Sequence, residues 1–276
     1  MNRKRILVWV LALLVVGGAS GITYASQKND TTKNVVVAAE SKSNNSVVRQ
    51  QGTISDEKAI KIAAEAMKSY MGKDASYFSS TKIHRSSDKR KELEEFRKKY
   101  AKEHPEEAKK FEESKKKFAK EHPEDAKIIA ENTAKLKNES IIDVDFTPKD
   151  FDKNKVCSNF VSINEKTGEV INVTAINGLD ENLKSAIDDN KVKDATLSFF
   201  KKIGKKISGN TIRADKEIDL GRLFLDCKLE DGRNAGIEIN LTDYSVIHYE
   251  IKDNDIKTLP SMKKNNDSQT REIKIN

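Results

Sequence analysis

Four histidines are the residues best suited to proton transfer or metal binding in this sequence: His84, His104, His122 and His248. His104 and His122 stand 18 positions apart, each follows a glutamate (Glu103, Glu121) and each precedes a proline. Imidazole and carboxylate together could ligate zinc. Eighteen helical residues span about 27 Å at 1.5 Å each, however, so one ion could join them only if the chain folds back. The reading adopted is that each histidine marks a helix boundary that was duplicated with its neighbours. Asp143 with Asp145, and Asp188 with Asp189, are carboxylate pairs of the kind used for acid–base work or calcium. Their setting among strand and cap residues predicts solvated side chains, with weak cation binding on the shared face of Asp143 and Asp145 as the alternative. His248 should face solvent from a strand, opposite Ile247 and Tyr249. The sequence holds no HExxH, no glycine-rich phosphate loop, no GxSxG and no Cys–His ligand cluster. Catalytic residues, cofactor and metal are each expected to be none, and an enzyme is the least favoured reading.

Cys157 and Cys227 are the only cysteines. Each shares strand parity with apolar neighbours, Cys157 with Val161 and Ile163, Cys227 with Leu223, Leu225 and Leu229. The expectation is two separately buried thiols. A disulfide between them is the alternative, open to an exported protein.

The elements that hold these residues begin with an export signal. Arg3, Lys4 and Arg5 precede an uncharged stretch from Ile6 to Gln27. Residues 1–26 are read as a signal anchor with a single N-terminal span, leaving the C-terminal domain outside the cell membrane. Cleavage near Ala25 and secretion is the alternative. Removing the three head charges from the +7 total leaves 48 basic against 44 acidic residues. That balance is ordinary solvation and gives no reason to expect nucleic acid. Charged residues make up 34% and aromatics only 6%, which suits two modest cores better than one large one.

Residues 27–52 read as a flexible linker rich in Ser, Asn, Lys and Gln. Ser55 should cap a helix carrying Ile60, Ala63, Ala64, Met67 and Met71, with Gly72 ending it. A strand is expected at "SYFSSTKIH". Then "KKYAKEHPEEAK" returns as "KKFAKEHPEDAK" with a period of 18. Three units result, roughly 87–104, 105–122 and 123–140. Eighteen residues make five turns, so each unit presents one thin apolar stripe: Leu93, Tyr100, Phe111, Phe118, Ile129 and Leu136. Pro105 and Pro123 suit first helical positions. The stripe should pack the helices on one another, with a partner-docking or self-associating face as the alternative.

Strands follow at "IIDVDF", "VCSNFVSIN" and "EVINVTAIN". A second helix is expected over about 190–204, with Val192, Ala195, Phe199 and Ile203 on one face. Further strands lie near "NTIRADKEI", "RLFLDCKLE", "AGIEINL" and "SVIHYEIK", with Asp231-Gly232 in a hairpin turn. The hairpin "NFVSINEKTGEVINV" recurs 76 positions later as "GIEINLTDYSVIHYE", matching Val161 to Ile237, Ile163 to Ile239, Asn164 to Asn240, Val170 to Val246 and Ile171 to Ile247. The fold class is therefore α+β: two tandem modules at 53–176 and 177–252, each a helix on an antiparallel sheet of three to four strands. A coiled-coil-like helical insertion at about 87–140 interrupts the first module, and 253–276 reads as a loose polar tail.

"ISDEKAIKIAAEAM" followed by "VSINEKTGEVINV" resembles the PepSY domain family, with Thr167, Gly168, Glu169 and Val170 in its hairpin turn and Asn164 where the family often has Asp. The second copy departs from that pattern: its turn reads Thr242-Asp243-Tyr244-Ser245, without the glycine. The resemblance covers about 150 residues, leaving the insertion and linker outside. It implies no catalytic residues and no cofactor. It implies an extracytoplasmic module that binds or restrains an envelope partner such as a protease. A structural, self-associating protein using the insertion as spacer or oligomerisation arm is the alternative.

Overall fold

The computed structural model describes residues 53–152, 157–178, 187–216, 221–252 and 270–275. The signal segment and linker read at 1–52 lie outside them. No helix among the described residues is long and apolar enough to cross a membrane. Two compact units are present: residues 85–141, and the remainder of the described chain.

The larger unit carries the sheet. Helix α1 (Asp56–Met71) starts where Ser55 accepts a hydrogen bond from the Lys58 amide, and Asp56 and Glu57 occupy its first turn, where the helix dipole favours acid. Ala59, Ala63, Ala66 and Met67 are buried, and Gly72 closes the helix at φ 70°. Helix α5 (Asp189–Lys202) repeats the plan: Asp188 caps it, Val192, Thr196, Phe199 and Phe200 are buried, and Gly204 follows at φ 69°.

Among the described residues nine strands, β1 (Phe78–Arg85), β2 (Ile141–Pro148), β3 (Cys157–Asn164), β4 (Val170–Asn177), β5 (Thr211–Asp215), β6 (Arg222–Lys228), β7 (Asn234–Asn240), β8 (Val246–Lys252) and β9 (Thr270–Lys274), form one sheet in the order β1-β2-β3-β4-β8-β7-β6-β5-β9. The strands at the middle are β4 and β8, which pair antiparallel as Asn172↔Glu250, Val173↔Tyr249 and Thr174↔His248. The two expected cores are therefore one. Residues from both helices and from the sheet belong to a single apolar cluster, because pairing β4 with β8 joins two half-sheets whose helix-covered faces are continuous. Tyr70 of α1, Phe199 of α5 and Tyr249 of β8 meet there, with ring centroids 5.6–6.2 Å apart. Such contacts add to the value of burying aromatic area.

The tail departs from its reading as well. Thr270–Lys274 forms β9, paired with β5, and Ile273 is buried. Five residues with one buried side chain carry too weak an alternation to be read from the sequence.

The smaller unit is the helical insertion: α2 (Ser86–Glu103), α3 (Pro105–Glu121) and α4 (Pro123–Asn138). Pro105 and Pro123 open their helices as expected. His104 and His122 sit at the two junctions. Each donates its amide to the carbonyl four residues back (Tyr100, Phe118; both 2.8 Å), and its carbonyl accepts from the next helix (Ala108, Ala126; both 3.0 Å). The insertion returns to its origin. Arg90 near the start of α2 donates to the carbonyls of Leu136 (3.3 Å) and Glu139 (3.0 Å), and Ser86 Oγ accepts from the Ile141 amide at 3.0 Å. A straight rod is thereby ruled out.

Candidate functional site

The turn residues Thr167, Gly168 and Glu169 meet the turn between β6 and β7 through Arg233. Asn164 Oδ1 accepts from the amides of Lys166 (3.0 Å) and Thr167 (3.1 Å), and Thr167 Oγ1 accepts from the Glu169 amide at 3.2 Å. These are the local bonds that short polar side chains offer a turn. Gly168 lies at φ 76°, where an added Cβ would stand 3.6 Å from Ile62 of α1. Glu169 accepts from Arg233 Nη1 at 2.6 Å, while the same guanidinium donates to Asp231 at 2.7 and 3.0 Å. Hydrogen bonds from Arg233 hold the Asp231 carboxyl below its usual range. Val170 packs against the core. Each of the four motif residues thus has a structural task.

The second turn reaches the same geometry by other residues. Asn240 Oδ1 accepts from the Thr242 amide at 3.0 Å, and the bonds Asn240 N→Ser245 O (2.9 Å) and Tyr244 N→Asn240 O (2.7 Å) correspond to Asn164 N→Glu169 O and Gly168 N→Asn164 O (both 2.8 Å). Tyr244 takes the left-handed position at φ 58° that Gly168 fills in the first turn. A bulky residue there is uncommon. Its hydroxyl accepts from the Asp188 amide at 3.3 Å, and Lys191 Nζ lies 5.2 Å from its ring. Matching irregularities occur in both ladders, between Ser162 and Ile163 opposite β4, and between Glu238 and Ile239 opposite β8.

The sheet face turned away from α1 and α5 is polar at its centre. Ser162 Oγ donates to Asp143 Oδ1 at 2.7 Å. Thr174 Oγ1 donates to Asn172 Oδ1 at 3.1 Å and lies 2.8 Å from His248 Nδ1. Glu250 stands 3.8 Å from His248 Nε2. Burial works against ionisation of Glu250, but the hydrogen bond and charge of His248 and the charge of Lys252 leave its carboxyl below the usual range. Gly236 makes room for it: a Cβ there would fall 2.9 Å from the Glu250 carboxylate and 3.0 Å from the Phe224 ring.

Two expectations fail on this face. His248 is only 12% exposed at its side chain, and Asp143 is 5% exposed, so neither is solvated as the strand parity suggested. His248 lies between Thr174 of β4 and Glu238 of β7, well inside the sheet, whereas Asp143 is on β2 near one edge and is held by Ser162 of the adjacent β3. Asp145 pairs instead with His84 Nε2 at 3.2 Å. Ser162 bonds a carboxylate and His248 bonds a threonine, so serine, histidine and aspartate are present without the relay that nucleophilic catalysis needs. Among the described residues no three His, Cys, Asp or Glu side chains gather to hold a metal.

The cysteines are both free thiols, and their pairing is excluded here. Cys157 is in β3 and Cys227 in β6, with β4, β8 and β7 between them. Four strand spacings put the two strands about 19 Å apart, far beyond disulfide reach. Cys227 is buried and its thiol is pushed up to about 12, by burial first and the Asp226 charge second. Cys157 is half-buried, 3.2 Å from Asn159 Nδ2 and from Asn177 Oδ1.

None of the six stripe residues Leu93, Tyr100, Phe111, Phe118, Ile129 and Leu136 is fully buried; Leu93 and Tyr100 are exposed, and Phe96 between them is 62% exposed. The stacks here are local: Tyr100 on His104 at 4.5 Å and Phe118 on His122 at 4.9 Å. The histidines are thereby tied to the aromatic four residues back, a pairing that the 18-residue repeat carries twice.

No protein-family model matches the chain, and no curated protein matches it. Among solved structures, the Bacillus megaterium YpeB C-terminal domain is similar at 13% identity and a TM-score of 0.38, over 74% of this chain and 65% of that one. The chain thus spans just under two-thirds of that domain's length.

Proposed function

We propose that the chain is a non-catalytic, extracytoplasmic binding module, made of two PepSY-like halves joined at β4 and β8 and anchored through residues 1–26. One observation carries the duplication: Val173 pairs with Tyr249, which lies 76 residues later, the same spacing that relates the two hairpins in sequence. An antiparallel pair in which a residue meets its own repeat equivalent places a local two-fold axis between them. The matched turns and matched register shifts support the same relation. The resemblance to PepSY modules then supplies the role, binding or restraining an envelope partner such as a protease, and an extended sheet offers edge strands for it. Crosslinked pull-down of full-length tagged protein from native envelope, read by mass spectrometry, tests this. One enriched protease or assembly partner supports the reading, and the same peptide map shows whether residues 1–25 remain.

A structural, self-associating role is the second reading, favoured by the exposure of Leu93, Phe96 and Tyr100 on α2. Recovery of the bait alone in crosslinked multiples, abolished by serine at these three positions, would establish it instead.

A further inference from the structure

We infer that the outer edge of β5 is an addition site for an extended polypeptide segment, and that β9 occupies it as an internal placeholder. Strand β5 meets β9 through five register pairs, from Thr211↔Lys274 to Asp215↔Thr270. The site therefore holds an added strand along its full length. Its side-chain chemistry is specific. Ile273 lies opposite Ile212, and both are buried in the core. Glu272 lies opposite Arg213, whose Nη2 donates to Thr270 Oγ1 at 3.2 Å. Arg271 Nη1 donates to Asp189, in the first turn of α5, at 2.7 Å. The ligand is thus an extended segment with a β-branched apolar residue, an acid one position before it and a base two positions before it.

The placeholder fits incompletely: Arg271 Nη2 is buried without a hydrogen-bond partner among the described residues. Seventeen residues separate Lys252 from Thr270 in the sequence, so β9 is not the return arm of a short hairpin. A five-residue strand with one deep anchor and an unsatisfied donor is the kind of element that opens locally well below global unfolding.

This deepens the binding-module reading by naming a site and a ligand chemistry, and its test needs no envelope partner. Full-length protein is titrated with fluorescein-labelled Thr-Arg-Glu-Ile-Lys-Ile-Asn peptide and followed by anisotropy. The Ile273→Asp chain, with its own strand weakened, should bind the peptide at least about tenfold more tightly than the wild-type chain. A peptide carrying Asp for Ile should bind neither. In the wild-type chain, amides of β9 and β5 should exchange with solvent about a hundredfold faster than those of β7. A folded Ile273→Asp chain that ignores the peptide overturns the proposal. So do β9 amides as protected as β7, or tails exchanged between two copies, seen as a concentration-dependent mass in place of peptide binding. Peptide failure beside a successful pull-down would remove this edge and leave the binding-module reading standing; the converse would do the opposite.

Discussion

The sheet unit and the helical insertion both carry sequence repetition, yet they use it in opposite ways. The 76-residue repeat meets itself across β4 and β8, and the residues at that meeting, Val173 and Tyr249, are fully buried. The 18-residue repeat runs in series through α2, α3 and α4, with neighbours joined at His104 and His122 and no apolar residue fully buried in any of the three helices. A repeat that pairs side by side removes area from water, whereas one that follows end to end multiplies a surface pattern. The first kind holds a fold together. The second kind gives a periodic face, to which local pairs such as Lys99–Glu103 and Lys117–Glu121 add little each.

Substitutions can break this contrast at several depths. The largest effect should come from Tyr249→Ala, which empties the meeting point of α1, α5 and the sheet; about 3–5 kcal/mol of stability should be lost in denaturant unfolding. Tyr249→Phe sharpens the point, because the Tyr249 hydroxyl is buried without a partner among the described residues. Its removal should be neutral or gain about 1 kcal/mol. Next, the two turns should respond unequally. Gly168→Ala should cost about 1 kcal/mol, since alanine pays for the left-handed conformation, whereas Tyr244→Gly should change stability by about 0.5 kcal/mol or less, conformational relief offsetting the lost ring contacts. Thermal unfolding of the two variants side by side checks this. Arg233→Ala, which releases Glu169 and Asp231, should cost about 0.5–1 kcal/mol and less at high salt, as expected for a half-exposed network. Phe96→Ser in the insertion should have the smallest effect, within about 0.5 kcal/mol, because the ring is already largely in water. A loss comparable to that of Tyr249→Ala would mean that the serial repeat buries its stripe after all.

Much of the fold is legible before any coordinates. Ser55 and Gly72 delimit α1 because a hydroxyl can satisfy an amide at a helix start and glycine accepts the left-handed exit. Pro105 and Pro123 delimit α3 and α4 because proline lacks the amide that a first turn does not use. The alternation in "NFVSIN" and "GIEINL" gives strands, and the repeat relates them. These signals are local, each acting within a few residues of its cause. The strand β9 is the exception: Thr270–Lys274 has one buried residue, too weak an alternation to announce it.

Residue order along the chain by itself determined every element named above except β9, and their repetition, because capping, helix breaking and hydrophobic periodicity are properties of neighbouring residues. Tertiary structure alone decided that β4 joins β8, and with it much of what the functional residues became. That one pairing merged two expected cores, buried His248 beside Thr174, and set Cys157 and Cys227 four strands apart. Which strand edges meet depends on the match of two complete surfaces, and parity along a single strand says which side a residue faces but not what lies across from it.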